Sequence, residues 1–378
     1  MKIDILSQKV ICKNDNGIHK YFAWPTVATL RDGRLAMVAS GFRLSHICPF
    51  GKSVICYSED EGNTWSMPGI VMDTPLDDRD SGIVSFGESS VMVTSFNNTM
   101  EFQRGFLNEC FNGGNSTLKK EENYNYTLAY INMVEQLGME KAFIGSNFVI
   151  SNDNGKTFGE IHHIPVTSPH GPCVLPDGNL LYVGRSFQYL ESVPEEHKAE
   201  INCYKVFPDG NFEYICSIDD VAEDVLSCEP HAIVLGSGKV VVHIRVQRED
   251  GYEGDKPMFT IYQCESEDLS KGFTKPRQIL ADEGGAPAHL LQLSNGMLIS
   301  AYGYRKEPFG IKVMFSTDEG KTWDIDNVIY DNESISWDIG YPASVELSNG
   351  NILTVFYARE EKNGPSKIFQ VIWRYENE

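Results

Sequence analysis

A chain of 378 residues, 41% apolar and 11% aromatic, can build a real core, either as two or three average domains or as one long all-β unit. Its formal charge of -21 repels nucleic acid and anionic membrane surfaces at long range, yet leaves a small anionic substrate open to a local arginine cluster. The opening Met1-Lys2-Ile3-Asp4-Ile5-Leu6 has no uninterrupted apolar stretch, no 18-residue apolar run follows, and nine cysteines, an odd number, are scattered through β-rich segments. These features predict reduced thiols in a cytoplasmic protein without a membrane partner. No Cys/His pair has metal-ligand spacing, and no phosphate loop or dinucleotide fingerprint occurs, so neither metal nor cofactor is expected.

In chain order, one pattern recurs: a residue before proline, an apolar β-rich run, a turn with glycine, and a second apolar run. It appears at Trp24-Pro25, Gly171-Pro172, Glu229-Pro230, Ala286-Pro287 and Tyr341-Pro342, with a copy lacking proline at Asp80-Ser81-Gly82. The marks at 25, 82, 172, 230, 287 and 342 are 57, 90, 58, 57 and 55 residues apart, so the second repeat carries an insertion, at about residues 100–142. Each copy is a hairpin, its turn set by Asp32-Gly33, Asp177-Gly178, Ser237-Gly238, Asn295-Gly296 or Asn349-Gly350. Short strands repeating at this period predict a β-propeller with four strands per blade, here six-bladed. The insertion carries a possible helix near Tyr126–Leu137 and suits a lid, a dimer contact or a solvated excursion, which leaves a homo-oligomer open.

A second element follows three of the hairpins, at Ser58–Trp65, Ser151–Phe158 and Ser316–Trp323, with the form S-x-D-x-G-x-T-[WF]. Aspartate caps backbone amides, glycine takes a left-handed position and the aromatic tucks between strands. This is the Asp-box, and together with the repeats it makes the chain resemble the sialidase superfamily along essentially its whole length. The resemblance implies an all-β, six-bladed propeller over residues 1–378 as one domain. The residues before Tyr21 would supply the outer strand of the last blade.

In a propeller the innermost strand of each blade begins at the channel mouth, so the residues before each proline converge. Here they include Trp24, Arg79 with Asp80, His170, Glu229 with His231, His289 and Tyr341. Arg245 ends the strand returning from Glu229 and should meet it at the mouth; the same logic sets Arg185 near His170, Arg43 near Trp24 and Arg305 near Ala286. Asp77, Asp78 and Asp80 crowd around Arg79, which predicts at least one raised carboxyl pKa or else a solvated acidic loop.

The resemblance implies a carbohydrate substrate and a tyrosine nucleophile, a departure from the two-carboxylate rule of glycosidases. A neutral phenol is not repelled by a substrate carboxylate, and a neighbouring Glu can activate it. Tyr341 and Glu229 resemble that pair, and Arg245 and Arg305 resemble two members of the arginine triad that grips the carboxylate. Two parts are missing: Ala23 or Trp24 stands where the first arginine belongs, with Arg43 as a substitute, and the usual acid loop, Arg43–Lys52, has no acid. His46, Asp77, Asp78 or Asp80 are the replacements. His170, His231 and His289 form a candidate sugar-binding ring, Arg79 a further anion contact, and Trp24 either a sugar platform or a channel plug. The expected function is a retaining exo-glycosidase for sialic acid or a related acidic sugar. The alternatives are a His/Asp glycosidase or lyase for a non-sialic sugar, and a non-catalytic glycan-binding propeller.

Overall fold

The computed structural model describes residues 1–113, 117–187, 200–221, 225–248, 259–281, 284–333 and 335–376. They form six antiparallel sheets, five four-stranded and one five-stranded, following one another in chain order as the blades of a propeller. The inner strands of the first, second, fourth, fifth and sixth blades are Tyr21–Thr29, Arg79–Phe86, Val225–Val234, Gly285–Gln292 and Gly340–Glu346. In the third blade the inner position is split between Val166–Thr167 and Cys173–Val174. The N-terminal strand Lys2–Cys12 pairs with the last strand, Ser366–Glu376, so both chain ends close the ring within one blade. The core lies between blades, where β-branched and aromatic side chains of neighbouring sheets interdigitate; Val38, Ile55, Val91 and Val149 make one such seam between the first two blades.

The three S-x-D-x-G-x-T turns are built alike. In the second, the Ser151 hydroxyl accepts from the Gly155 amide, while Asp153 accepts from both the amide and the hydroxyl of Thr157. The Trp65 and Trp323 indoles then donate to Gln370 and Gln263 of the neighbouring blades, at 2.7 and 2.8 Å. The turns thus stitch one blade to the next.

The insertion is helical. Helix α1 (Met100–Asn112) starts at Thr99, whose hydroxyl accepts from the Phe102 amide, and buries Met100, Gln103, Leu107 and Cys110 along one stripe. Helix α2 (Glu121–Gln136) covers the segment where the sequence suggested a helix and buries Asn123, Thr127, Ile131 and Val134; a short α3 (Glu140–Phe143) follows. Their apolar faces pack on Leu44, Cys48 and Leu76 of the loops at the mouth. That contact excludes the solvated excursion. No helix among the described residues is long and apolar enough to cross a membrane.

Candidate active site

The mouth residues share a backbone feature that no pattern of residue types announces. Trp24, Asp80, Glu229 and Tyr341 have φ of 55°, 47°, 48° and 52°, a left-handed conformation that costs an L-residue about 1 kcal/mol or more. At each, the pairing with the next strand shifts register, as a β-bulge does. The bulge re-aims one side chain per blade out of the alternating in-sheet pattern and into the axis. Strain held in four separate blades at equivalent positions marks a place where side-chain direction matters more than local stability.

Those side chains meet. The Tyr341 hydroxyl donates to Glu229 Oε1 at 2.5 Å, and Arg245 Nη1 lies 2.5 Å from Glu229 Oε2 and 3.4 Å from the Tyr341 oxygen. The Arg245 fork is held from behind by Gln247 Oε1, at 3.0 and 2.6 Å, and its guanidinium stacks over Phe259. Arg305 packs over the Tyr341 ring at 5.8 Å while donating to the Ile339 carbonyl and the Tyr357 hydroxyl. A cavity of about 440 Å³ opens beside this cluster, lined by Glu229, Arg245, Gln247, Asp80, Arg185 and Phe187 among others. Arg185, which makes no ion pair among the described residues, faces the same space as two carboxylates.

The two carboxyls are driven apart electrostatically. Burial would raise Glu229, but the Arg245 charge and the Tyr341 hydrogen bond hold it below the ordinary glutamate value. Burial pushes Asp80 up to about 7; Arg79 opposes the shift and Glu229 reinforces it. One Asp80 oxygen, Oδ1, is buried without a hydrogen-bond partner among the described residues. Burial, with Glu229 and Asp80 adding, raises the Tyr341 phenol well above its usual value, so it is neutral at rest. The cavity is therefore lined by one ionised acceptor and one carboxyl able to carry a proton near neutrality, with a buried phenol bonded to the acceptor from behind.

No family model and no curated protein matches this sequence. Solved structures do match. A protein of unknown function from Dyadobacter fermentans superposes with a TM-score of 0.71 at 17% identity, over 99% of both chains. The intramolecular trans-sialidase of Ruminococcus gnavus gives 0.63 at 12% identity, covering 98% of this chain and 97% of that one. The α-L-arabinanase of Penicillium chrysogenum gives 0.59 at 12%, over 98% of each. The fold is that of the sialidase propellers. At these identities the likeness is one of architecture, and the site must be judged on its own residues.

Judged so, this sialidase-like propeller keeps some expected site residues together and disperses others. Tyr341, Glu229, Arg245, Arg305 and Asp80 converge. Arg43 does not replace the missing arginine: it is fully buried, forked onto Asp77 at 2.5 and 2.9 Å, and bonded to Ser40 and the Ser45 and His46 carbonyls. Asp78 is not catalytic in position either; it is buried and accepts from the amide and hydroxyl of Thr74, closing a turn. The acidic loop is sealed, not solvated, with Asp77, Asp78 and Asp80 all buried. Trp24 is 1% exposed, with Arg79 stacked over its ring at 4.1 Å and Arg43 at 4.7 Å, which makes it a plug and not a sugar platform. Arg79 itself donates to the His46 carbonyl and is buried.

His170, His231 and His289 do form a cluster, but a closed one. Their ring centroids lie 4.4 to 5.5 Å apart, all three are buried, and burial lowers each pKa, that of His289 to about 3. His231 and His289 accept from the backbone amides of Leu290 and Ser344 in the next blade. They tie blades together instead of ringing a sugar. His46 is held by Tyr21 and Asp338 at 2.9 and 3.1 Å and meets the Trp24 ring edge-on at 5.0 Å; it does not line the Glu229 cavity.

Sequence reasoning passed over Asp338 and Trp337. Asp338 accepts from Tyr21, His46 and Arg359, and Trp337, 58% exposed, lies 6.4 Å from the His46 ring. Their place just before Tyr341, in Trp337-Asp338-Ile339-Gly340, was the available signal.

Proposed function

We propose that this protein is a retaining glycoside hydrolase that accepts an acidic sugar in the Glu229–Asp80 cavity and uses Tyr341 as nucleophile. The observation that carries the reading is the 2.5 Å hydrogen bond from the Tyr341 hydroxyl to Glu229, beside a carboxyl raised to about 7 in the same cavity. As the phenol oxygen bonds to the anomeric carbon, its proton passes to Glu229 and the bond to the leaving oxygen breaks. Asp80 gives its proton to that oxygen, then, as carboxylate, takes one from the water that cleaves the glycosyl–tyrosine bond, while Glu229 returns its proton to the departing phenolate. Arg245 and Arg185 are the cations available for a substrate carboxylate. The structural likeness to a trans-sialidase and an arabinanase supports a propeller built for sugars.

One observation favours a second assignment within the same cavity. Tyr341 is 5% exposed, whereas Glu229 and Asp80 line the space directly, as a nucleophile and acid of the two-carboxylate kind would. A screen of 4-methylumbelliferyl glycosides, N-acetylneuraminic acid first, identifies the substrate, and Tyr341→Phe then separates the assignments. Loss of about 10³-fold in kcat, roughly 4 kcal/mol of barrier, supports the phenol, and a loss under tenfold moves the role to Glu229. Trapping with a fluorinated glycoside and mapping the labelled peptide gives an independent answer. Failure to hydrolyse any glycoside in the panel would sink the proposal.

A further inference from the structure

The mouth carries a second concavity, of about 700 Å³, between the helical insertion and the loops of the first and last blades. Its charge is the opposite of the chain's. Lys20, Lys119, Lys120 and Arg359 line it, together with His46 and Tyr21, and no Asp or Glu does, in a protein with 53 acidic and 32 basic residues. Arg359 is committed to Asp338 at 2.6 Å, but Lys20, Lys119 and Lys120 have no ion pair among the described residues. Three ammonium groups without an ion pair among the described residues line one hollow and repel each other. Two of the three come from the insertion, whose apolar side is anchored on Leu44, Cys48 and Leu76, so the backbone that presents these exposed lysines to the hollow is fixed. The floor is His46, whose ring touches Trp24 at 5.0 Å, and Trp24 in turn lies 6.3 Å from the Tyr341 ring.

We propose that this cleft binds an acidic saccharide unit, carboxylated or sulfated, and that the insertion exists to supply its cations. Its sugar chemistry rests on the glycosidase reading; the unit bound here sits apart from the Glu229 cavity, since the buried Trp24 stands between His46 and Tyr341. Ammonium groups recognise such anions as point charges, with selectivity for charge over stereochemistry.

The experiment is calorimetric titration with lactose 6′-sulfate, a uronic-acid disaccharide and lactose, against the wild type, Glu229→Gln and the double variant Lys119→Gln/Lys120→Gln. One or both acidic disaccharides should bind wild type and Glu229→Gln alike. The double variant should bind about tenfold more weakly, as the loss of about 1.4 kcal/mol of contact implies, and affinity should fall with added salt. Lactose should not bind. If neither acidic sugar binds, or the lysine variant binds them as wild type does, the cleft is not the site. If Glu229→Gln abolishes binding, the anion sits in the catalytic cavity and the inference is overturned. Because none of these readouts requires turnover, they separate the cleft from the glycosidase reading.

Discussion

Two arginine–carboxylate pairs stand at this mouth, equal in chemistry and opposite in use. Arg43–Asp77 is fully buried, and both Asp77 oxygens are bonded: the Arg43 fork takes one each, and Oδ2 also accepts from Gln103 at 3.0 Å and the Cys48 amide at 3.4 Å. Arg245–Glu229 is partly open, with side chains 13% and 19% exposed, and Glu229 offers its second oxygen to a phenol in place of a backbone amide. A carboxylate sealed among an arginine, an amide side chain and a backbone amide holds structure. One that accepts from a phenol beside a cavity is placed to take its proton, and that difference marks the candidate base.

Breaking each pair should therefore damage different properties. Arg43→Ala leaves Asp77 charged, buried and without its counter-ion, and should cost about 3–5 kcal/mol of stability in denaturant unfolding. Arg245→Ala opens a site that water and the cavity already reach. It should cost less than about 2 kcal/mol in the same assay, yet lower kcat/KM at least about 100-fold, or roughly 3 kcal/mol of barrier. Equal stability losses would end the distinction between a sealed and a working pair.

A finer contrast sets Asp78 against Asp80, both pushed to about 7 by burial. Between about pH 4 and 7 the folded protein holds protons on these groups that the unfolded chain has released. Each therefore makes stability fall as pH rises through that window, by up to about 1.4 kcal/mol per unit. Asp78→Asn should flatten that dependence and leave the rate profile unchanged. Asp80, if it is the acid, must be protonated to work, so kcat/KM should fall tenfold per pH unit above about 7, and Asp80→Asn should remove that limb along with most of the rate. A rate profile unaltered by Asp80→Asn would return the acid role to an unassigned group.

How far these distinctions could be read from the chain varies by residue. The blades were legible because proline, glycine turns and apolar runs recur at one period, and the Glu229–Arg245 meeting followed from hairpin geometry alone. The conformation that aims Trp24, Asp80, Glu229 and Tyr341 was not, since a bulge depends on pairing with the neighbouring strand. Burial was the other blind spot: Arg43 looked like a spare cation because Asp77, 34 residues away, and Gln103 on α1 close over it only in three dimensions. The helices were half legible: the C-terminal part of α2 was expected near Tyr126–Leu137, its first turn was not, and α1 not at all.

The smallest expected effect tests why Asp78 and Asp80 differ despite a common shift. Asp78 receives two hydrogen bonds from Thr74, the amide at 2.7 Å and the hydroxyl at 2.8 Å, and the same hydroxyl accepts from the Leu76 amide. Asp80 Oδ1 receives none among the described residues. Thr74→Val keeps the shape of the turn but removes the hydroxyl, stranding an oxygen of Asp78 and the Leu76 amide, and should cost about 1–2 kcal/mol in chemical denaturation. It should also raise the Asp78 pKa further, because a bond that favours the charged form is gone, and so steepen the fall of stability toward neutral pH. Turnover should not change, since Thr74 and Asp78 touch nothing in the Glu229 cavity. A rate loss in Thr74→Val would mean that the sealed side of the mouth positions the open side, and that the two carboxyls act as one unit.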